Sequence, residues 1–254
     1  MNRAPSDWYA DEDLWIETYS YMFPESRVEA GVEEVGRIID LTRCDSGAVL
    51  DLCCGPGRHS VPLAMRGFAV TAVDRTRYLL DRARAFADTQ QVEVEFVEED
   101  MRRFRRPESF DLALSMLTSF GYFDDPAENQ QVLENVYTNL RPGGVFIVDM
   151  MGKEVLARIF LPTSCDELDD GTLIFQRREP VDDWSRMENE WFILKGGSVR
   201  LFRLRHWIYS GRELREMLAA AGFSKIDIYG DLGGSSYDNN ASRMIGVARK
   251  GVDA

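Results

Sequence analysis

The chain has 254 residues, with 30 basic against 43 acidic side chains and a formal net charge of −13. A chain of this length forms one large domain or two small ones, and it buries about 70% of its unfolded surface without needing disulfides or a structural metal. A surface this acidic repels phosphate backbones, which argues against a nucleic-acid partner.

The cysteines, the histidines and the apolar runs argue against several further classes of protein. None of the four cysteines forms a Cys-x-x-Cys pair, and neither His59 nor His206 lies near a second ligand, so we expect no structural zinc and no disulfide framework. No stretch approaches about 18 consecutive apolar residues. Residues 1–13 are polar and acidic, unlike a signal peptide. We therefore expect a cytoplasmic protein without a membrane partner.

The N-terminal segment, residues 1–45, is acidic and rich in aromatic side chains. Such a segment predicts a flap that packs over another part of the molecule. Its first half carries six aromatic residues: Trp8, Tyr9, Trp15, Tyr19, Tyr21 and Phe23. A helix with one apolar face follows, marked by Val28, Val32, Val35 and Ile39.

Residues 46–151 alternate short apolar runs with segments of helical periodicity. This alternation predicts βαβ units and a mostly parallel sheet with helices on both faces. Five runs are predicted as strands: Ala48–Leu52, Phe68–Val73, Val92–Val97, Phe110–Leu114 and Val145–Val148. A helix stop and turn at Arg141-Pro142-Gly143-Gly144 leads into the last of them.

The pattern changes after residue 152. Residues 152–209 are predicted as an antiparallel insert, because three strand-like runs follow one another with only turns between them: Thr172–Arg178, Met187–Leu194 and Val199–Tyr209. Residues 210–254 return to a helix and two strands, Phe223–Tyr229 and Ser242–Arg249. We therefore expect one doubly wound α/β domain with an insert, and not two independent domains.

The segment Val49–His59 is a buried strand, a Gly-x-Gly turn and the start of a helix. Gly55 and Gly57 let the backbone approach a ligand closely, and the helix N-terminus favours electron-rich groups. Ligands of open parallel sheets bind outside the carboxyl ends of the strands, where this turn lies. Asp51 at the strand end adds a carboxylate to the same edge.

Two further acids end the second and third predicted strands. Asp74 is placed to accept hydrogen bonds from both hydroxyls of a ribose. Asp100 and Met101 suit an adenine, whose amino group donates to the carboxylate while its ring packs on the thioether. A dinucleotide site would need a third glycine at the position of Ser60. The sequence thus predicts a nucleoside ligand without a pyrophosphate.

These motifs resemble those of class I S-adenosylmethionine-dependent methyltransferases. Asp51–Gly57 is similar to the family's first motif, Asp74 to its ribose-binding acid, Asp100-Met101 to its adenine motif, and Leu140–Gly144 to the turn before the fifth strand. The resemblance implies a Rossmann-like doubly wound sheet of seven strands, one of them antiparallel. It also implies S-adenosylmethionine as the cofactor, with contacts from nine residues: Tyr21, Arg27, Asp51, Gly55, Gly57, Asp74, Arg75, Asp100 and Met101.

Within that family, Ser119–Phe123, the aromatic flap and the insert resemble small-molecule N-methyltransferases of secondary metabolism, such as those acting on amino sugars and antibiotic intermediates. The protein's task is to align the acceptor with the methyl group and to exclude water. Aromatic rings can stabilise a sulfonium or an ammonium by about 0.5–2 kcal/mol each. We expect the catalytic residues to include Tyr9, Phe120, Tyr122 and His206.

The acceptor and the need for a base stay open at this stage. Residues 1–50 hold eleven acids and four arginines, which favours a cationic, amine-bearing acceptor. The alternatives are O- or C-methylation, for which His206, His59, Tyr122 or Asp149 could be the base. A cofactor-binding protein without catalysis and a nicotinamide-dependent oxidoreductase are the remaining alternatives. We expect no metal, and the sequence does not decide whether identical chains associate.

Overall fold

The N-terminal segment forms three helices in the computed structural model, which describes residues 4–252. They are a 3-10 helix (Trp8–Ala10), α1 (Glu12–Met22) and α2 (Glu25–Thr42). The Asp11 carboxylate caps α1 by accepting a hydrogen bond from the Asp13 amide at 3.1 Å. The predicted flap begins at residue 1, and its first three residues lie outside those described.

The buried face of α2 differs from the predicted one. Val35 is buried as expected, but Val32 is 47% exposed, and Gly31 and Ile38 take part in the buried face. A Cβ atom at Gly31 would come within 2.3 Å of the Arg58 carbonyl oxygen. The helix therefore turns its glycine towards the start of the next helix, and the valine at 32 faces outwards.

The central sheet has seven strands. They are β1 (Ala48–Leu52), β2 (Ala69–Asp74), β3 (Glu95–Glu98), β4 (Phe110–Ser115), β5 (Leu140–Met150), β10 (Lys225–Tyr229) and β11 (Met244–Arg249). Their order in the sheet is β10-β11-β5-β4-β1-β2-β3, and all neighbours run parallel except β11, which is antiparallel to both β5 and β10. This confirms the predicted doubly wound α/β fold.

Helices cover both faces of this sheet because successive strand residues point to opposite sides. In β1, Val49 packs into a core with α2 residues, whereas its neighbour Leu50 packs into a second core with residues of the 3-10 helix and α1. The remaining helices are α3 (Ser60–Met65), α4 (Arg77–Gln90), α5 (Pro126–Asn139), α6 (Lys153–Ile159) and α7 (Gly211–Ala220).

The insert is an antiparallel sheet of four strands, which are β6 (Thr163–Glu167), β7 (Leu173–Val181), β8 (Arg186–Lys195) and β9 (Ser198–Trp207). Their order in the sheet is β6-β7-β8-β9. Gly196 and Gly197, with φ of 55° and 79°, form the tight turn between β8 and β9. Sequence reasoning missed α6, and it also missed β6, which is an exposed edge without alternating burial.

The flap is attached to the insert and to α4, over the carboxyl ends of the central strands. The Trp8 indole Nε1 donates to the Arg205 carbonyl in β9 at 2.7 Å. The Tyr78 amide at the start of α4 donates to the Glu12 carboxylate at 2.8 Å. No helix within residues 4–252 is long and apolar enough to cross a membrane.

Candidate active site

A cavity of about 320 Å³ lies between the flap and the carboxyl edge of the central sheet. Its volume falls within the range of small-molecule sites. Its walls come from the flap, from the loop after β1, from the ends of β2 and β3, and from the loop after β4. The lining residues from the flap are Tyr9, Trp15, Met22, Phe23 and Arg27.

The loop between β1 and α3 adopts an unusual backbone. Cys53, Gly55 and Gly57 all have positive φ, at 61°, 55° and 81°. A Cβ atom at Gly57 would lie 3.1 Å from the Ala83 Cβ of α4, so this position combines a left-handed backbone with close helix packing. Gly55 lines the cavity, whereas Gly57 shapes the loop from behind it.

Asp51 is buried at the end of β1 and lines the cavity. One of its carboxylate oxygens accepts a hydrogen bond from the Ser60 hydroxyl at 2.5 Å. Burial raises the pKa of Asp51, against the opposing effects of His59 and Ser60. The hydroxyl at Ser60, where a dinucleotide site would have glycine, thus orients this acid.

Asp74 ends β2 and connects that strand to the glycine loop. Its carboxylate accepts hydrogen bonds from the Gly55 amide at 2.9 Å and from the Thr76 amide at 2.8 Å. Burial raises the pKa of Asp74, although both amides oppose the shift. Each carboxylate oxygen keeps further acceptor capacity, so Asp74 can also accept from a ligand hydroxyl.

Asp100 lies after β3 and pairs with two arginines. The Arg102 guanidinium contacts its carboxylate at 2.6 and 3.0 Å, and Arg75 approaches at 3.4 Å. Burial raises the pKa of Asp100, but the hydrogen bonds and the charge of Arg102 outweigh it, so the pKa is lowered overall. Met101 is buried beside it, with its sulfur 3.6 Å from the Cys53 sulfur.

Aromatic rings form one side of the cavity. The Tyr9 and Tyr122 rings are stacked with centroids 6.1 Å apart, and Tyr9 meets Phe123 edge-on at 5.4 Å. The Arg75 guanidinium lies 5.3 Å from the Tyr9 ring centroid. Burial raises the pKa values of both tyrosines, which keeps their hydroxyls protonated at neutral pH.

The loop that carries Tyr122 and Phe123 is held by the last residue of β9. The Trp207 amide donates to the Gly121 carbonyl at 2.7 Å, and the Trp207 indole Nε1 donates to the Phe123 carbonyl at 2.8 Å. The Arg186 guanidinium lies 4.1 Å from the Trp207 ring centroid. The insert therefore positions the aromatic wall of the cavity.

Four predicted site residues lie outside the cavity lining: Gly57, described above, and Phe120, Tyr21 and His206. Phe120 is 1% exposed and packs on Tyr209, so it supports the wall from behind. The Tyr21 hydroxyl faces the insert, where it donates to the Asp166 carboxylate at 3.1 Å and accepts from the Gln176 amide at 2.9 Å. His206 lies in β9 opposite Met187, and burial lowers its pKa to about 4.

The other predicted site residues line the cavity together. Arg58 and Arg243, which sequence reasoning missed, line it as well. The lining includes Tyr9, Arg27, Asp51, Gly55, Asp74, Arg75, Asp100, Met101 and Tyr122. Arg58 directly follows the Gly-x-Gly turn, and that adjacency was a usable signal. Arg243 pairs with Asp149 at 2.6 Å across 94 residues of chain, which no local pattern indicates.

A metal centre is not apparent in this region. No group of three or more His, Cys, Asp or Glu side chains in the described part of the chain is arranged to hold a metal ion. His59, which lines the cavity, is instead engaged by Glu34 through its Nε2 atom at 2.8 Å.

Part of the region that forms the cavity is similar to a known protein family. Residues 49–144 match the family model described as a methyltransferase domain. A protein of Geobacillus sp. (strain WCH70) with a provisional methyltransferase name is 27% identical over 257 residues, which cover 98% of this chain and 95% of the relative.

Two solved structures share the fold. An S-adenosylmethionine-dependent methyltransferase from Clostridium acetobutylicum superposes with a TM-score of 0.77 at 17% identity, covering 94% of this chain and 98% of the other. A sugar N-methyltransferase from Streptoalloteichus sp. superposes with a TM-score of 0.67 at 22% identity, covering 91% of each chain. Both similarities extend well beyond residues 49–144, because each covers more than nine-tenths of this chain.

Proposed function

We propose that this chain is an S-adenosylmethionine-dependent methyltransferase that transfers the methyl group to an amine nitrogen of a small molecule. The match of residues 49–144 to a methyltransferase domain and the similarity to the Geobacillus relative support this proposal. The acceptor class that we favour is a secondary-metabolite intermediate such as an amino sugar or an antibiotic precursor. The sugar N-methyltransferase from Streptoalloteichus supports this choice by its similar architecture.

The chemistry of the lining fits the cofactor. Asp74 offers acceptor capacity for ribose hydroxyls, and the buried thioether of Met101 offers an apolar surface for the adenine. The Asp100 carboxylate beside Met101 can accept from the adenine amino group while it stays paired with Arg102. Arg27, from the flap side of the same cavity, offers a positive charge for the amino-acid end.

We choose an amine acceptor because of the pKa values and the positions of the candidate bases. The two cavity tyrosines have raised pKa values, and His206 has a lowered pKa and lies outside the lining. His59 is held by Glu34. A hydroxyl acceptor needs a base during attack, whereas an amine loses its proton to solvent beforehand and attacks as the free base.

When bound, S-adenosylmethionine supplies a methyl group on a sulfonium that is already an activated leaving group. The residues of the chain bind and orient the two partners and keep water out, which accounts for several kcal/mol of the barrier. The rings of Tyr9, Tyr122 and Phe123 can stabilise positive charge by about 0.5–2 kcal/mol each. The acidic flap adds a long-range attraction for a cationic acceptor.

Matched acceptor pairs test this proposal. Amino sugars and their hydroxyl counterparts with the same ring are incubated with S-adenosylmethionine, and both methylated product and demethylated cofactor are measured by mass spectrometry. We expect the amines to be methylated, with a rate that rises with pH up to the pKa of each amine. Faster methylation of the hydroxyl counterparts, or a pH profile independent of the amine, contradicts N-methylation.

The location of the enzyme in the cell and the organisation of its single domain are part of the same proposal. We place the enzyme in the cytoplasm, where the cofactor is made, and treat residues 46–151 as its cofactor-binding core within a single domain. The flap (residues 1–45), the insert (152–209) and the C-terminal part (210–254) complete that domain. The aromatic residues of the flap and of the loop after β4 are then the acceptor side of the site.

A further inference from the structure

Arg243 lies directly before β11, and the backbone around it is fixed. The first residue of β11 pairs with the last residue of β5, so Arg243 lies at the carboxyl edge of the central sheet. The Arg243 amide donates to the Gly230 carbonyl at 2.9 Å. The Arg158 guanidinium of α6 donates to the Ala241 carbonyl in the same segment. The sheet and α6 thus present Arg243 to the cavity in one position.

The Arg243 guanidinium is paired along one edge. Its Nε atom donates to the Asp149 carboxylate at 2.6 Å, and its Nη2 atom donates to the Thr118 hydroxyl at 3.2 Å. Nε and Nη2 form the side edge of the planar group, and both hydrogen bonds of the guanidinium within residues 4–252 use that edge. A guanidinium carries five N–H donors, so the end edge formed by Nη1 and Nη2 keeps donors for a ligand.

A ligand in the cavity meets this arginine but not the carboxylate that pairs with it. Arg243 lines the cavity with 25% of its side chain exposed, whereas 7% of the Asp149 side chain is exposed and Asp149 lies outside the lining. One Asp149 oxygen is engaged by Arg243, and the other accepts from the Leu117 amide at 3.2 Å. Asp149 therefore holds the guanidinium in place, and the donors of Arg243 face the cavity.

Arg243 lies on the side of the cavity away from the proposed adenosine contacts. The carboxylates of the lining lie at the ends of β1, β2 and β3 or just after them: Asp51, Asp74, Glu99 and Asp100. The lining residues of the loop after β4 are uncharged: Met116, Leu117, Ser119, Tyr122 and Phe123. An anion beside Arg243 therefore meets a cation on one side and an uncharged wall on the other.

The loop that Arg243 contacts keeps its shape through other bonds. Leu117 and Thr118 have φ of 55° and 62°, which is uncommon for a residue with a Cβ atom and rarer still for a β-branched one. The Thr118 amide donates to the Asp149 carbonyl at 2.8 Å, and the Thr118 hydroxyl accepts from the Met151 amide at 3.2 Å. Backbone strain of this kind clusters at functional sites. Since these bonds do not involve Arg243, its contribution to the site is its free donors.

We propose that Arg243 binds an anionic group, a carboxylate or a phosphate, on the amine-bearing acceptor. The Nη1–Nη2 edge presents two parallel N–H donors, which match two oxygens of either group in geometry and charge. Thr118, which Arg243 contacts, and Tyr122 of the aromatic wall are four residues apart, so their Cα atoms are at most about 14 Å apart. One small molecule can span that distance. The inference rests on the proposed transfer to a small-molecule amine, and it makes Arg243 a residue that determines acceptor specificity.

Binding of matched acceptors to the complex with demethylated cofactor tests the assignment without turnover. Isothermal titration calorimetry compares glucosamine 6-phosphate and 2-amino-2-deoxyglucuronate, which carry an anion, with glucosamine, which does not. We expect the wild type to bind an anionic compound roughly 10- to 100-fold more tightly than glucosamine, as befits charge-assisted hydrogen bonds. The tighter of the two identifies the group as phosphate or carboxylate.

Substitution of Arg243 assigns that preference to the guanidinium. R243Q should lose the preference for an anion, while its affinities for glucosamine and for the demethylated cofactor stay within about twofold of the wild type. R243K, which keeps the charge and loses the fork, should fall between the two. If R243Q does not fold, R243K decides by the same comparison.

Turnover of the same compounds separates this inference from the proposed function. If glucose and glucose 6-phosphate are methylated in place of the amines, N-methylation is wrong. A preference for glucose 6-phosphate over glucose that R243Q abolishes still supports the anion site in that case. Methylation of the amines without any preference for an anion supports the proposed function and contradicts the role of Arg243.

Arg212 provides the matched control. It lies in α7 with 86% of its side chain exposed, and it is outside the cavity lining. R212Q should leave every affinity unchanged. The assignment is wrong if the wild type binds the anionic compounds no more tightly than glucosamine, or if R243Q weakens charged and uncharged acceptors equally, which marks a structural role. It is also wrong if R243Q weakens only the demethylated cofactor, because the arginine then serves the cofactor.

Discussion

Replacing Trp207 with phenylalanine tests whether the insert controls the cavity. The substitution keeps a ring beside Arg186 and the backbone hydrogen bond to Gly121, but it removes the indole donor to the Phe123 carbonyl. The Phe123 carbonyl keeps its other donor, the Asn129 side-chain amide at 2.9 Å, so the loss is that of one hydrogen bond, about 0.5–1.5 kcal/mol. We expect that loss in the free energy of unfolding, seen as a fall in Tm of about 1–6 °C.

Trp207→Phe should also weaken cofactor binding, because the loop that Trp207 holds carries two residues of the cavity lining. Phe123 and its neighbour Tyr122 line the cavity, so a loosened loop must be ordered again when ligand binds. We expect the Kd of the demethylated cofactor, measured by calorimetry, to rise by up to about tenfold, because tenfold corresponds to about 1.4 kcal/mol. The rise in Kd should accompany a lower turnover rate with acceptor.

Trp184 supplies the control for this experiment. It is 36% exposed and packs on Phe160, away from the cavity loop. Trp184→Phe should leave Kd unchanged. The reasoning is refuted if Trp207→Phe binds cofactor as tightly as the wild type, or if the two tryptophan variants behave alike.

Three further outcomes are expected. His206→Ala should reduce turnover with an amine acceptor less than tenfold, and a loss above a thousandfold in the same steady-state assay would overturn the base-free mechanism. Burial lowers the pKa of His206 from 6.5 to about 4, so the unfolded chain binds a proton at this side chain before the folded chain does as pH falls. The contribution of neutral His206 to stability is therefore complete above pH 6.5 and is lost between pH 6.5 and about 4. Urea titrations across that range should show a smaller loss of stability for His206→Gln. Asp74→Asn should weaken calorimetric binding of both demethylated cofactor and methylthioadenosine at least tenfold, since Asp74 contacts the glycine loop and is proposed to hold the ribose they share; an effect on only one ligand would contradict this.

The sequence predicted those parts of the site that follow from strand ends. Asp51 and Asp74 lie at the same edge of the sheet because β1 and β2 are parallel neighbours, and a parallel sheet brings successive carboxyl ends to one edge. The bounds of β1 were also predicted correctly, since its apolar run ends at a glycine turn.

Side-chain direction was harder to predict than strand position. Tyr9 and Tyr21 both belong to the aromatic flap, yet only Tyr9 lines the cavity, because the rotation of α1 turns Tyr21 to the insert. Whether the His206 side chain lines the cavity depends in the same way on the register of β9. The pairing of Asp149 with Arg243 needs the position of β11, which is a tertiary property and leaves no local signal.

The position of β11 has a consequence for how the protein is made. This strand lies between β5 and β10, second from one edge of the sheet, although it follows every other strand in the sequence. About 100 residues separate β5 from β11, and at typical rates of synthesis they take roughly 5–20 s to appear. During that interval the edge of β5 that β11 will cover is unpaired, and an unpaired edge of this kind can associate with other strands. Arg243 reaches Asp149 only at the close of this interval, and the cavity is complete only then.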